Sequence, residues 1–314
     1  MISSTQEALT ALSVTNDVLT EEQKTRLKED GYCLISITPQ EWKDRGINLD
    51  QISRVVNELI TKEGWKGGWD HIKEKMIEGQ HPESGTQRLN NLLSKHPCFR
   101  KVFTIPEALA FAKFLIQDEI CLSQLILRMP LPGMGGQPWH IDWTPRKHQN
   151  DPVRSALTSL FLDDFTKENG TTKVVPGTHK LLGDPNDYGY NNEKSHPNEK
   201  YMEAPRGSLL MYNINLWHAG TVCKNGKPRR HLNINYRDRK IWQQINFKKD
   251  LPAEIIEQLS EAERYLLKIR DEDPNRNDWL FRNRNNWLVK RMTQAYWKFL
   301  DSRAKKKYLN SNML

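Results

Sequence analysis

From residue 229 to residue 236 the chain reads Arg229-Arg230-His231-Leu232-Asn233-Ile234-Asn235-Tyr236. Side chains alternate faces along a β-strand. Arg230, Leu232, Ile234 and Tyr236 therefore share one side, and Arg229, His231, Asn233 and Asn235 share the other. The first side is mostly apolar and is expected to pack outward against helices. The second is polar throughout and is expected to face a wet interior. An arginine on such an inner face can hold a carboxylate through a two-pronged hydrogen bond. The bland alternative is an ordinary amphipathic strand with surface arginines.

A second stretch gives that interior a chemical purpose. In Gln137-Pro138-Trp139-His140-Ile141-Asp142-Trp143, His140 and Asp142 lie two apart. On a strand they project together, with Trp139 and Ile141 on the opposite side. His218, in Leu216-Trp217-His218-Ala219-Gly220, follows further on, and Arg229 comes eleven residues after it. Two histidines and one carboxylate on one face of a metal form the facial triad of non-haem Fe(II) oxygenases, which leaves positions open for a co-substrate and dioxygen. A lone His-x-Asp is common and is more often structural. The order, spacing and facing of all four residues favour the metal reading.

Several segments carry a specific resemblance. They are Asp30-Gly31-Tyr32-Cys33-Leu34-Ile35, Gln137 to Asp142, Leu162-Asp163-Asp164-Phe165-Thr166-Lys167-Glu168-Asn169-Gly170, Val175-Pro176-Gly177-Thr178-His179-Lys180, Gly207-Ser208, Trp217-His218, and Arg229 with its strand. Over roughly residues 20 to 240 the chain resembles the phytanoyl-CoA dioxygenase family of Fe(II)/2-oxoglutarate-dependent oxygenases. The resemblance implies a mixed α/β fold with a mainly β core, a double-stranded β-helix (jelly roll). It implies Fe(II) held by His140, Asp142 and His218, and 2-oxoglutarate held at its far carboxylate by Arg229. Gln137 and His231 are the further candidate pocket residues, and no catalytic residue beyond the metal ligands is expected. The implied reaction oxidises an unactivated C–H with release of succinate and carbon dioxide, by hydroxylation, desaturation or ring formation. Asp142 is retained, which argues against the halogenating subtype. Two positions depart from the family: Gly220 stands where a hydroxyl residue is frequent, and Ser159 where a tryptophan is frequent.

The expected organisation is a single domain over 1–314: an N-terminal helix and strand region at 20–120, a catalytic core at 121–240 and a helical extension at 250–314. Residues 1 to 19 are expected to be loosely ordered. Thr20-Glu21-Glu22-Gln23 and Thr38-Pro39-Gln40-Glu41 are capping boxes that open helices. The first helix should stop at Gly31, with a strand from Tyr32 to Ile37. Ile52, Val55, Val56, Leu59 and Ile60 form an apolar stripe on a helix over Asp50 to Lys62, and Pro106 opens another to about Gln117. Segment 64 to 100 could fold over the mouth of the barrel. Core strands are expected at Leu122–Met129, Ala156–Leu162, Gly207–Asn213 and Leu216–Val222. Trp143, on the outward parity, should pack unless the strand ends there. His179 follows a Pro-Gly turn and should pack or hydrogen-bond. Leu182 to Arg206 is a lid or is disordered. Helices follow at Pro252–Leu259, Ser260–Arg270 and about Asp278–Leu300, the last with a stripe of Leu288, Met292, Ala295 and Phe299.

Composition removes some function classes. No run of about 18 apolar residues exists, so no membrane span is expected. Met1 to Asp17 shows no signal pattern and Ser311-Asn312-Met313-Leu314 is no peroxisomal address, so a cytoplasmic protein is expected. Cys33, Cys98, Cys121 and Cys223 have no paired short spacing and read as buried thiols in a reducing compartment. The net charge of +8 is distributed, although Lys and Arg crowd the last fifty residues up to Arg303-Ala304-Lys305-Lys306-Lys307; no nucleic-acid motif accompanies it, and a solvated helix face is the reading preferred over an anionic partner. The partners expected are a small, anionic substrate, such as an amino acid or a natural-product intermediate, and dioxygen. Monomer is the default. Two other readings stay open: a cupin-type metalloenzyme without 2-oxoglutarate, which would not need Arg229, and a non-catalytic binding protein using the basic C-terminal surface.

Overall fold

The computed structural model describes residues 1–64, 85–190 and 195–271. Met1–Arg270 forms one compact unit. The expectations for the mouth-covering part of 64–100, for the helix at 278–300 and for the basic C-terminal run fall largely or wholly outside the described residues.

Helix α1 (Thr5–Ala11) corrects the expectation of a loose N-terminus. Ser4 caps it, its side chain accepting from the Glu7 N–H, and Ala8, Leu9, Val14 and Leu19 are buried in the main core. The Thr5 N–H donates to Glu119 at 2.5 Å. Helix α2 (Glu21–Glu29) and helix α3 (Pro39–Asp44) start at the two capping boxes, on Thr20 and Thr38. Between them lies β1 (Tyr32–Ile35). Gly31 ends α2 at φ +83°, where a Cβ would meet the His179 ring at 2.3 Å, so only glycine lets the turn close on that ring. Helix α4 (Leu49–Glu63) buries Ile52, Val55 and Val56.

After β2 (Thr86–Leu89), helix α5 (Pro106–Ile116) packs against β3 (Ile120–Pro130), β4 (Ser155–Phe161), β7 (Leu209–Asn213) and β9 (His231–Asp238). Short strands β5 (Thr172–Val174), β6 (Lys200–Tyr201) and β8 (His218–Gly220) fall among these in chain order. The unit closes with α6 (Phe247–Asp250), α7 (Ala253–Gln258) and α8 (Glu261–Leu266).

Two antiparallel sheets result. The larger has the order β1-β7-β4-β9-β3-β2 and the smaller β6-β5-β8. The larger sheet divides its faces as the alternation requires. Leu232, Ile234 and Tyr236 join Leu125, Leu127 and Leu160 in the apolar cluster under the helices, and the Tyr236 hydroxyl donates to the Phe103 carbonyl at 2.5 Å. A bulge between Leu122 and Gln124 keeps both Leu122 and Leu125 on that outer face. The other face looks inward. Ser159 donates to Asn233 at 2.7 Å and Ser155 to Asn235 at 3.1 Å, which satisfies a buried polar wall. Leu157, Phe161, Leu210 and Tyr212 complete the inner face with a cluster that reaches Val174 of the small sheet and Met202. The two sheets therefore face each other as a double-stranded β-helix.

Two boundaries move. Strand β9 starts at His231, so Arg229 sits just before it. Segment 182–206 is not simply loop: Pro185–Tyr188 is a short 3-10 helix, Lys200–Tyr201 joins the small sheet, and Tyr190 and His196 lie against Trp217 at ring distances of 5.8 and 6.2 Å.

Candidate metal centre

His218 opens β8 and is buried. His140 reaches it without a strand of its own. The two residues form an isolated antiparallel bridge, each N–H donating to the other's carbonyl at 3.1 Å. The expected strand around His140 is therefore a single rung. Pro138 has no N–H to offer a ladder, and Asp142 N–H already turns to the Ile214 carbonyl at 3.0 Å. Below the rung, Trp139, Trp217, Ala219 and Val175 pack as one buried cluster and hold the two backbones together.

On the other side the ligand atoms converge. Asp142 Oδ2 lies 3.3 Å from His218 Nε2, and Asp142 Oδ1 lies 3.7 Å from His140 Nε2. The imidazole centroids are 4.2 Å apart and the rings are tilted by 52°. Among the described residues these three form the group whose ligand atoms lie close enough to share an ion, all within 4.8 Å of one another. Each Nδ1 faces a carbonyl at 2.9 Å, Pro138 for His140 and Leu216 for His218. A carbonyl only accepts, so each Nδ1 carries the proton and each Nε2 presents a lone pair. This is the tautomer that a metal ligand needs. Burial, then the charge of His218, hold the His140 pKa down to about 4, so its imidazole is neutral at neutral pH. Burial raises the Asp142 carboxyl, but His218 and His140 outweigh it, and the net shift is well downward. Two imidazole Nε2 atoms and a carboxylate suit a divalent transition metal, and nothing in the donor set argues against Fe(II).

Arg229 is 5% exposed, with its guanidinium carbon 4.9 Å from the Phe165 ring centroid. Its Nε and Nη1 are buried without a hydrogen-bond partner. Burial, then the charge of Arg128, lower its pKa to about 9, so it remains a cation at neutral pH. Tyr212 links this cation to the triad: its ring centroid is 5.0 Å from that of His218, and it feels the charges of both Asp142 and Arg229. His231 lies beside Arg229, edge-on to Phe165 at 5.7 Å, with a buried, unpartnered Nδ1. Burial, then Arg229 and Arg128, keep it uncharged. Gln137 is placed differently. Its side-chain oxygen accepts the Gly220 N–H at 2.9 Å and so braces β8. The missing hydroxyl at Gly220 has a steric cause, since a Cβ there would meet Gln137 Oε1 and the Gly135 carbonyl, each at 2.8 Å.

His179 stays outside the centre, with its Nε2–H donating to the Lys28 carbonyl at 3.2 Å. Trp143 does not follow the outward parity. With no strand to continue, its ring comes over Arg237, 4.9 Å from the guanidinium carbon. Sequence reasoning does not single out Arg128, Tyr212 or Arg237. The inner parity of β3, β7 and β9 is the signal that finds them.

Among known proteins, the family described as phytanoyl-CoA dioxygenase (PhyH) matches residues 15–231. An uncharacterized protein of Mycobacterium tuberculosis, Rv1501, is 25% identical over 266 residues, covering 81% of this chain and 89% of its own. The chain shares its fold with SnoK, a non-haem α-ketoglutarate-dependent carbocyclase from nogalamycin biosynthesis (TM-score 0.55, 16% identity, 78% of this chain and 93% of that one). It also shares it with HygX of Streptomyces hygroscopicus, solved with nickel, 2-oxoglutarate and hygromycin B bound (TM-score 0.52, 14% identity, 72% of this chain and 90% of that one).

Proposed function

The chain belongs to the phytanoyl-CoA dioxygenase family of Fe(II)/2-oxoglutarate-dependent oxygenases, and from that premise we propose that it oxidises an unactivated C–H of a small anionic molecule, most simply by hydroxylation. His140, Asp142 and His218 would hold Fe(II), and Arg229 would hold the far carboxylate of 2-oxoglutarate. One observation carries this reading. Two Nε2 atoms and a carboxylate converge within 4.8 Å, and Arg229, linked to them through Tyr212, is buried with two unpartnered N–H groups. A purely structural arginine at that depth would leave donors unsatisfied at a cost of about 1–3 kcal/mol each.

When bound, Fe(II) and 2-oxoglutarate supply the oxidising power, with dioxygen consumed and succinate and carbon dioxide released. The chain's residues set the conditions for that chemistry. The Pro138 and Leu216 carbonyls fix both imidazoles with Nε2 aimed at the metal position. Asp142 contributes the negative charge and occupies the position a halide would need. Arg229 remains protonated and offers a fork that matches a carboxylate. Leu157, Phe161, Leu210 and Tyr212 make the neighbouring wall apolar, which keeps bulk water from the reacting carbon.

Anaerobic titration of the metal-free protein with Fe(II) and then 2-oxoglutarate, followed by visible absorption, tests the reading. A weak charge-transfer band that needs both additions supports it. Asp142→Ala should abolish the band, and Arg229→Ala should shift its appearance to higher 2-oxoglutarate. Iron binding without a band would replace this reading by a metalloenzyme that does not use 2-oxoglutarate. Absence of iron binding would leave a non-catalytic protein.

A further inference from the structure

The inner face of β9 carries a second arginine that the chemistry above leaves unused. Arg237 is 5% exposed and pairs across the sheet with Cys121 and Ser155, at the end of the strand opposite Arg229. Its guanidinium carbon lies 4.9 Å from the Trp143 ring centroid and 5.0 Å from that of Trp242. Nη1 makes a long hydrogen bond, 3.3 Å, to the Trp242 carbonyl, and Nε is buried with no partner. The adjacent carboxylate, Asp238, is paired with Arg154 instead. Asp142 is near enough to feel the charge but is engaged by two histidines. No ion pair joins Arg237 to a carboxylate of the described residues.

A buried cation without a counter-charge is costly unless something supplies one. The two indoles recover part of that through cation–π attraction. They lie over the guanidinium, and the Nε edge remains unused. A guanidinium edge is the geometry that takes a carboxylate with two parallel hydrogen bonds. The place also matters. Trp143, one ring on the guanidinium, directly follows the ligand Asp142, and Trp242, the other, is 46% exposed, so one flank of Arg237 adjoins the ligand segment and the other reaches solvent. Arg229 sits just before the start of β9 and Arg237 near its far end, and the six strand steps from His231 to Arg237 alone span about 20 Å. A diacid as short as 2-oxoglutarate, chelated at the metal and held by Arg229, does not reach Arg237. The second arginine therefore awaits a different anion.

Building on the oxygenase reading, we propose that Arg237 anchors a carboxylate of the primary substrate, gripping it by the guanidinium edge between Trp143 and Trp242. The substrate class is then small carboxylic acids that enter past Trp242 and present a C–H to the metal position.

Calorimetric titration of the full chain, loaded with Fe(II) and saturating 2-oxoglutarate under anaerobic conditions, tests this with phenylacetate, its neutral twin phenylacetamide, and phenyl phosphate. Saturation of the co-substrate site keeps Arg229 from contributing. Phenylacetate should bind, and phenylacetamide should bind at least roughly tenfold more weakly. Arg237→Gln should weaken phenylacetate by roughly tenfold or more, and Arg237→Lys should fall between, since it keeps the charge and loses the paired edge. Equal binding of acid and amide, tighter binding of the phosphate, no saturable binding of phenylacetate, or an Arg237→Gln affinity within about twofold of the parent overturns the proposal. If Arg237→Gln does not fold, Arg237→Lys alone decides, because an unchanged affinity there removes the edge from the account. The absorption band separates the two readings. With no band in the parent protein the oxygenase reading fails, while the calorimetry still reports on Arg237. With the band present and phenylacetate binding independent of Arg237, only this inference fails.

Discussion

The two sheets of the barrel contrast sharply in how they are built. In the larger one β3, β4 and β9 run for eleven, seven and eight residues, with one face packed under helices and the inner face polar along β9 and mixed along β3 and β4. In the smaller one the strands are two or three residues long, and the rung to His140 is a single bridge. Yet the smaller sheet and its rung supply the two candidate histidine ligands, with Asp142 two residues past the rung, and the larger supplies the wall and Arg237, with Arg229 just before β9. Long alternation gives a rigid surface through accumulated burial. A metal position needs only three atoms held to within fractions of an ångström. Here a reciprocal backbone pair, two carbonyls on Nδ1 and a small tryptophan cluster achieve that without a long ladder. Chemistry and stability should therefore separate by sheet, and substitutions can break that separation.

The largest expected effect is on chemistry alone. Asp142→Ala should lower succinate release by about a thousandfold or more, since it removes the anionic ligand of the centre. Its unfolding midpoint should stay within a few degrees of the parent, because the Asp142 side chain is 28% exposed and belongs to no packed cluster. A large loss of thermal stability would show that the short sheet does carry the fold. Leu232→Ala is the converse. Leu232 is fully buried between Leu127 and Leu160, so truncation should cost about 2–5 kcal/mol. Denaturant unfolding measures the loss, and iron affinity of the folded fraction should not change. Arg229→Ala, just before β9 of the large sheet, touches chemistry. It should raise the 2-oxoglutarate requirement roughly 10- to 100-fold, with most of the turnover recovered at saturation. Failure to recover would make Arg229 part of the centre's architecture, and would blur the distinction between the sheets.

The same contrast governs which features are legible in the amino-acid sequence. Strict alternation places β9 and tells its faces apart, because a buried two-faced strand leaves that trace in every second residue, whereas β4 is legible as a strand without its faces. Capping boxes at Thr20 and Thr38 locate α2 and α3. The His140, Asp142 and His218 grouping is legible as residue types and order, although His140 is held by one rung and not by a strand. For the same reason parity puts Trp143 on the wrong side: it carries no information once the ladder stops. Helix α1 escapes notice although Ser4 and Glu7 stand at capping spacing, since a seven-residue helix declares itself mainly through partners such as Glu119 and Tyr265 that lie far along the chain. Gly220 reads as a missing hydroxyl, and only the approach of Gln137 and the Gly135 carbonyl shows why no side chain fits. Arg237 stands one step beyond the segment in which the alternation is plain.

The smallest effect concerns the apolar and helical side that supports the large sheet, and it takes the form of a pH dependence. Glu263 is 6% exposed and caps α8 with Ser260, and its carboxylate binds Arg100 through Nε at 2.8 Å and Nη2 at 2.6 Å. Burial raises its pKa, but the bonds from Arg100 and Ser260 outweigh it, and the net value lies below the ordinary 4.5. The native state therefore binds the proton less readily than the unfolded chain. A depressed pKa contributes stability that is present above the unfolded value and is lost as pH falls through the folded one. Glu263→Gln removes the charge and keeps the shape. The parent should exceed the variant by about 1–2 kcal/mol near pH 7, with Arg100 partly solvated and screening the pair. The gap should shrink as both are titrated into acid, below the ordinary carboxylate range, where the parent's own carboxylate takes up its proton. Denaturant midpoints for both proteins at neutral and acid pH measure it. A gap of constant size would mean that packing, and not charge, holds α8 in place. Neither result should alter 2-oxoglutarate binding, since this pair lies behind the wall and the centre is built on the sheet opposite.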